Sequence, residues 1–431
     1  MNTPFNLVEI NTLPLPSPSH SFNSLRLCLD PNENYALLST SVHTGKFSPF
    51  HLSATGLTPK LKKKKHRSLP SPPPPPYTES VVASDVIGGN GMEWEEYGLN
   101  ESGVEAIAVQ RKESGKSTHY LKIRRLKPVN SRAIEANQII NLPYAPLALH
   151  LTYLPRAFVT TPTLLVSSSD STIKIYQPVL NNDGLFEEVT DEGVREKLLP
   201  NLHHAFPSPV LTMDTLLTPS PSSPTSTYHI TCGCRCGYLC ITSYDPQHSP
   251  PSDSFESWNV DGPISAVQVS PPSKKGELSL LVASLAGYVC TFTRHNVGPG
   301  GWGPPVVLPE SVNGDDPVLC VCAAKFPTLS GDAVFVGTAR GKVMTFTRLT
   351  SFHSPPPSSS PSPYLLSSTS LLPSPVRRLA VGDIDGDGIP EVLAMTKDEI
   401  TVFRRKNEEV REMAEFKLKI IDGAAVDKGS G

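Results

Sequence analysis

The sequence predicts an all-β fold, and three observations predict it. A run rich in Val, Ile, Phe, Tyr and Thr meets a small or polar turn and then a second such run, and this unit occurs seven times in 431 residues. Side chains of that kind suit a pleated surface, and the turns suit hairpins. The units recur about every 59 residues between their first occurrence at 35 and their last at 390, long enough for four short strands and a loop in each. The last two units also align with one another, PVLCVCAAKFPTLSGDAVFVGTARGKVMTFTR from Pro317 against PVRRLAVGDIDGDGIPEVLAMTKDEITVFRR from Pro375, with one gap. Together these features predict a single seven-bladed β-propeller over residues 1–405, followed by a tail at 406–431.

In order, the hairpins are expected at 35–47, 104–125, 162–177, 228–244, 278–294, 332–348 and 390–405. None carries the G-H and W-D dipeptides of WD40 repeats, so the predicted propeller belongs to another lineage. A strand around Leu25 to Leu27 is expected to complete the last blade and close the ring. After Arg405 the stretch KNEEVREMAEFKLKII reads equally as a short helix or a strand. Of the 45 prolines, 16 fall in Pro/Ser-rich stretches near 57–78, 216–226 and 351–374. Such stretches lack ladder donors and apolar bulk, so they are expected to be disordered insertions between strands.

Composition narrows the function. With 38 basic and 41 acidic residues the net charge is −3, which leaves no global electrostatic footprint for nucleic acid. No stretch approaches the ~18 to 20 apolar residues of a membrane span, and the first residues lack a basic and then apolar signal pattern. A cytoplasmic protein without a transmembrane segment is expected. Eight irregularly spaced cysteines then read as free thiols. Cys232, Cys234 and Cys236 alternate along one strand face, as do Cys320 and Cys322, and are expected to be small buried hydrophobes because paired C-x-x-C spacing is missing.

The sharpest motif is Asp383-Ile384-Asp385-Gly386-Asp387-Gly388-Ile389-Pro390-Glu391. Carboxylates at Asp383, Asp385, Asp387 and Glu391, with the backbone carbonyl of Ile389, form the oxygen-rich set that Ca²⁺ or Mg²⁺ takes. The acid that an EF-hand needs at position 12 is replaced by Ala394, and strands flank the loop, so it matches the acidic loop of integrin-type FG-GAP blades. Its role is expected to be structural. Lys60, Lys62 to Lys65 and Arg67 form a basic cluster beside the prolines 72 to 76, expected to be a solvated insertion. Gly298 to Gly303 spells G-x-G-x-x-G, but Pro304-Pro305 and a strand-like run follow, so no helix N-terminus awaits a phosphate. No Walker A, G-x-S-x-G or H-E-x-x-H pattern occurs, and the chain is expected not to be an enzyme.

The order of PTLLVSSSDSTIKIYQ, GLFEEV, CGCRCGYLCI, Trp258 to Ser265, LLVAS and the acidic loop resembles the kaptin-like proteins over roughly residues 100–405. The resemblance implies a propeller without catalysis that serves as a scaffold subunit of the KICSTOR assembly. There it would help position a GATOR-type complex at the lysosome or vacuole surface and restrain TOR complex 1 signalling when amino acids are scarce. It also implies an alternative role on filamentous actin, in organising the actin cytoskeleton. No partner-contact residue transfers, because no short motif defines one.

Overall fold

The computed structural model describes residues 7–14, 26–29, 35–39, 48–53, 56–59, 77–88, 103–126, 137–156, 159–179, 185–219, 226–245, 254–270, 277–294, 301–309, 315–325, 332–348, 364–382, 390–397 and 399–405. Among the described residues the strands form seven four-stranded antiparallel sheets. Strand β1 (Leu7–Pro14) comes first in the chain but belongs to the last sheet. The first sheet is β2 (Arg26–Leu29), β3 (Tyr35–Ser39), β4 (Ser48–Ser53) and β5 (Gly56–Pro59). The second is β6 (Tyr77–Gly88), β7 (Gly103–Glu113), β8 (Lys116–Leu126) and β9 (Asn137–Leu142). The third is β10 (Pro146–Arg156), β11 (Val159–Ser168), β12 (Ile173–Pro178) and β13 (Phe186–Glu188), and a short helix α1 (Glu192–Leu198) follows it. The fourth is β14 (Val210–Pro219), β15 (Ser226–Cys234), β16 (Tyr238–Tyr244) and β17 (Ser254–Asn259). The fifth is β18 (Ile264–Ser270), β19 (Leu278–Ser284), β20 (Val289–Arg294) and β21 (Val306–Val307). The sixth is β22 (Val318–Lys325), β23 (Asp332–Thr338), β24 (Lys342–Arg348) and β25 (Tyr364–Leu371). The seventh joins β26 (Arg378–Gly382), β27 (Glu391–Met395) and β28 (Glu399–Arg405) to β1.

Each sheet's first strand touches the first strand of the next: β2 with β6, then β10, β14, β18, β22 and β26, and β26 returns to β2. Sheets arranged radially about a common axis in this way form a β-propeller. Both faces of a sheet are therefore buried. One apolar cluster joins the second and third sheets through Leu121, Ile123, Leu151 and Leu164, and another joins the third and fourth through Leu165, Ile175, Ile230 and Cys232. Further clusters lie between the fourth and fifth, fifth and sixth, and sixth and seventh sheets.

A small residue near the end of the second strand allows this close approach. It is Ser167, Gly233, Ala283 and Gly337 in LLVS, ITCG, LLVA and VFVG. A Cβ on Gly233 would lie 2.4 Å from Ile264 Cγ2, and one on Gly337 2.7 Å from Val376 Cγ1, so an aliphatic side chain at the start of the following sheet fills the space. Ser167 instead donates its hydroxyl to the carbonyl of Val210 at the same joint.

Three expectations need correction. The ring-closing strand is Leu7–Pro14, which pairs antiparallel with β28, and the strand at Arg26–Leu29 pairs with Tyr35–Ser39. The nearer hairpin partner captures Arg26–Leu29 at lower loop-closure cost, and the earlier strand is left to close the ring. The second strand of the first hairpin is Ser48–Ser53, beyond the 35–47 run. Within the 351–374 stretch, Tyr364–Leu371 is the fourth strand of the sixth sheet. The prolines stop at Pro363 and resume at Pro373, which leaves nine residues free of proline, eight of which join the ladder. Strands likewise reach Pro59 and Pro219 and resume at Tyr77 and Ser226, so the other two insertions are shorter than expected.

Candidate functional site

The first strand of every propeller sheet has a free edge toward the axis, and its N–H groups need acceptors. Here the acceptors come from the preceding sheet. Asp85 Oδ2 accepts from the Leu151 N–H at 2.7 Å, Asp214 Oδ2 from Val269 at 2.7 Å, and Gln268 Oε1 from Ala323 at 2.7 Å. The Cys322 thiol accepts from the backbone of Val381. At the remaining described joint His150 Nε2 meets Thr215 Oγ1 at 2.9 Å. Asp85, His150, Asp214, Gln268 and Cys322 each sit four residues after the residue that precedes a bulge, at Val81, Pro146, Val210, Ile264 and Val318. The signal is VVASD, PLALH, VLTMD, ISAVQ and VLCVC, a polar or thiol residue at a fixed place in a mainly apolar run. The hairpins expected from the sequence do not include these first strands.

At the β10–β14 joint the row Asp85, His150, Thr215, Thr152 runs beside a cavity of about 300 Å³. His150 Nδ1 lies 3.5 Å from Asp85 Oδ2, and the hydroxyls of Thr152 and Thr215 are 2.6 Å apart. Leu216, Leu217, Tyr153 and Tyr228 supply apolar walls. The polar atoms of the row bond one another, an arrangement that holds two strands together.

Of the candidate cation ligands, Asp383, Asp385, Asp387 and Ile389 lie outside the described residues. Glu391 is buried at the start of β27, with Oε1 3.3 Å from Arg404 Nε on the adjacent strand. The basic cluster at 60–67 also lies outside the described residues. Cys232, Cys234 and Cys240 are buried together on one face of the β15–β16 hairpin, and burial pushes the Cys234 thiol up to about 12. Cys236 departs from the expectation: it sits exposed in the turn, because the strand ends at Cys234. Burial raises the thiols of Cys290 and Cys320 to about 12 as well, so these groups pack as neutral hydrophobes.

Of the Gly298–Gly303 stretch, residues 298–300 lie outside the described residues; the described part leads into the strand Val306–Val307 and has a packing role. Trp302 is buried, its ring lies edge-on to Trp258 at 6.4 Å, and its backbone N–H donates to both carboxylate oxygens of Glu256 at 3.0 and 3.2 Å. A Cβ on Gly301 would come within 2.6 Å of that carboxylate. Glycine here lets the loop of the fifth sheet close onto the fourth.

Buried His229 bridges Thr218 at 2.9 Å and Ser243 at 2.7 Å across three strands of the fourth sheet. Burial, reinforced by Arg294, lowers its pKa to about 4. The unfolded chain binds this proton near pH 6.5, so stability is complete above that value and falls as the pH drops from 6.5 towards 4. The full loss is about 3 kcal/mol. Melting temperature is expected to fall over this window in the wild type and to fall less in His229→Gln, and equal slopes would refute the assignment.

A search of curated proteins returns no match. Two crystal structures of BBS1N in complex with ARL6DN, one soaked with lead and one with mercury, each match with a TM-score of 0.50 at 11% identity. The first aligns over 94% of this chain and 98% of that one, the second over 93% and 97%. The β-propeller domain of Cps50 (Swd1) from Myceliophteria thermophila has a TM-score of 0.48 at 12% identity, over 93% of this chain and 100% of that one. These likenesses concern the fold. The model of the KICSTOR complex protein kaptin family matches residues 103–415, from the second strand of the second sheet to beyond the last strand, and the chain belongs to that family.

Proposed function

We propose that this chain is a non-enzymatic scaffold subunit of a KICSTOR-like complex that restrains TOR complex 1 signalling when amino acids are scarce. The observation that carries the reading is the family match over residues 103–415, because the family is that of a KICSTOR complex protein. The seven sheets and their cyclic contacts support a closed seven-bladed propeller. Such a disc offers separate rims and faces to several partners at once, here the other complex subunits and a GATOR-type complex at the lysosome or vacuole surface. Deleting the gene is expected to leave phosphorylation of a TOR complex 1 substrate high after amino-acid withdrawal, with reversal on re-expression. Normal shut-off in the deletion would overturn the signalling role.

The acidic FG-GAP-type loop belongs to the same proposal. Asp383, Asp385, Asp387, Glu391 and the Ile389 carbonyl hold a structural Ca²⁺ or Mg²⁺, with Arg404 beside the Glu391 carboxylate. A cation bound to the native state raises stability by about 2.7 kcal/mol at a hundredfold excess over Kd. The melting temperature is expected to rise from EDTA to millimolar Ca²⁺ or Mg²⁺ in the wild type and to stay fixed in Asp385→Ala. A wild-type melting temperature indifferent to both ions removes the site.

A further inference from the structure

The second sheet is longer than its neighbours in a specific place. In the third to sixth sheets the first strand begins beside its bulge, and the second strand ends opposite that point at Ser168, Cys234, Ser284 and Thr338. The equivalent bulge in β6 lies between Val81 and Ala83, opposite Val109 and Ala108. Yet β6 already starts at Tyr77, and β7 runs on to Glu113. The additional segments Tyr77–Ser80 and Gln110–Glu113 pair with each other, and Lys116–His119 of β8 adds a third strand. At ~3.3 Å per residue this arm projects about 13 Å beyond the turns of the other sheets. Strand β9 reaches only as far as His119, so among the described strands nothing continues the ladder along the outer edge of Lys116–Thr118.

The hairpin's own turn and side-chain contacts hold the arm together. Ser114 and Gly115 have φ of 49° and 80°, the left-handed pair of a two-residue hairpin turn whose twist matches the strands. The Arg111 guanidinium sits 5.5 Å from the Tyr120 ring, and Gln110 Nε2 donates to Ser117 Oγ at 3.3 Å. Residues 112–118 are exposed throughout. A wet ribbon contributes nothing to a core, so packing of the disc does not account for it. Its charges are Arg111, Lys112 and Lys116 against Glu113 and, opposite Arg111 in register, Glu79. By register Lys112 projects from one face and Lys116 from the other.

We propose that this arm docks an extended acidic segment of a partner subunit. The segment pairs along the open edge of Lys116–Thr118 and places carboxylates against Lys112 on one face and Lys116 on the other, by strand addition. Three cations are fewer than the ~4 to 8 that an anionic membrane recruits, and an open ladder edge fits a peptide backbone. The inference rests on the proposed role as a complex subunit.

The test co-expresses the full chain with the remaining subunits of the complex. It compares wild type with Lys112→Glu/Lys116→Glu and Lys112→Gln/Lys116→Gln, and it places a photo-cross-linking residue at Thr118. The reversal variant is expected to keep the wild-type melting temperature and bind the partner at least tenfold more weakly, the neutral variant to fall between, and the cross-links to land on an acidic segment of one subunit. Wild-type assembly with affinity unchanged within twofold in the reversal variant would overturn the arm and leave the subunit role intact, as would cross-links to lipid alone. Failure of the wild-type chain itself to assemble would overturn the subunit role and this inference with it.

Discussion

Gly233→Val is expected to be among the most destabilising single substitutions in the molecule. Its Cβ would meet Ile264 Cγ2 at 2.4 Å and Thr212 Cγ2 at 2.9 Å, so the fourth and fifth sheets must separate or Ile264 must leave its place. Overpacking of this kind costs about 1–3 kcal/mol in a yielding core, and two sheets fixed in a ring yield little, which points to the top of that range or above. Ile264→Ala removes the closest clashing atom, Cγ2, and leaves the two contacts at 2.9 Å. The double variant is therefore expected to be more stable than the sum of the two single losses predicts, with a coupling of about 1 kcal/mol or more in denaturant titrations. Strict additivity would show that the two residues do not share the joint.

Trp302→Ala should cost about 3–5 kcal/mol, the range for deleting a large buried aromatic side chain. The ring fills the seam between the fourth and fifth sheets beside Trp258, which itself packs on Phe292 at 4.6 Å. Glu256→Gln keeps an acceptor for the Trp302 N–H and should cost much less. A Trp302→Ala loss no greater than that of Glu256→Gln would mean that the backbone hydrogen bond, and not the ring, joins the sheets.

The hairpins were legible because both strands are apolar and a polar turn separates them, as in LSLLVASLAGYVCTFTR, which becomes β19 and β20. Fourth strands were not. They are as short as Val306–Val307 or as polar as Phe186–Glu188, and the neighbouring ladder determines them more than their own sequence does. Closure by Leu7–Pro14 was invisible for a related reason, since its partner β28 lies at the other end of the chain and no local pattern favours it over Arg26–Leu29. The polar or thiol residue that recurs at one fixed place in the inner strands was readable in principle. Asp85, Asp214 and Gln268 stand at the same place in mainly apolar runs, and that place has a cause once each side chain is seen to hold the backbone of the next sheet. Gly298–Gly303 shows the opposite case, a pattern that spells a phosphate loop, and its described part, Gly301 and Trp302, serves instead to bring a tryptophan between two sheets.

The most direct measurement is native mass spectrometry of the full chain tagged at its own locus and purified under mild conditions. As a subunit of a KICSTOR-like complex it should be released in stoichiometric assembly with other subunits, at a mass well above its own 46.6 kDa. Recovery as a monomer alone, from cells in which the remaining subunits are expressed, would contradict the account.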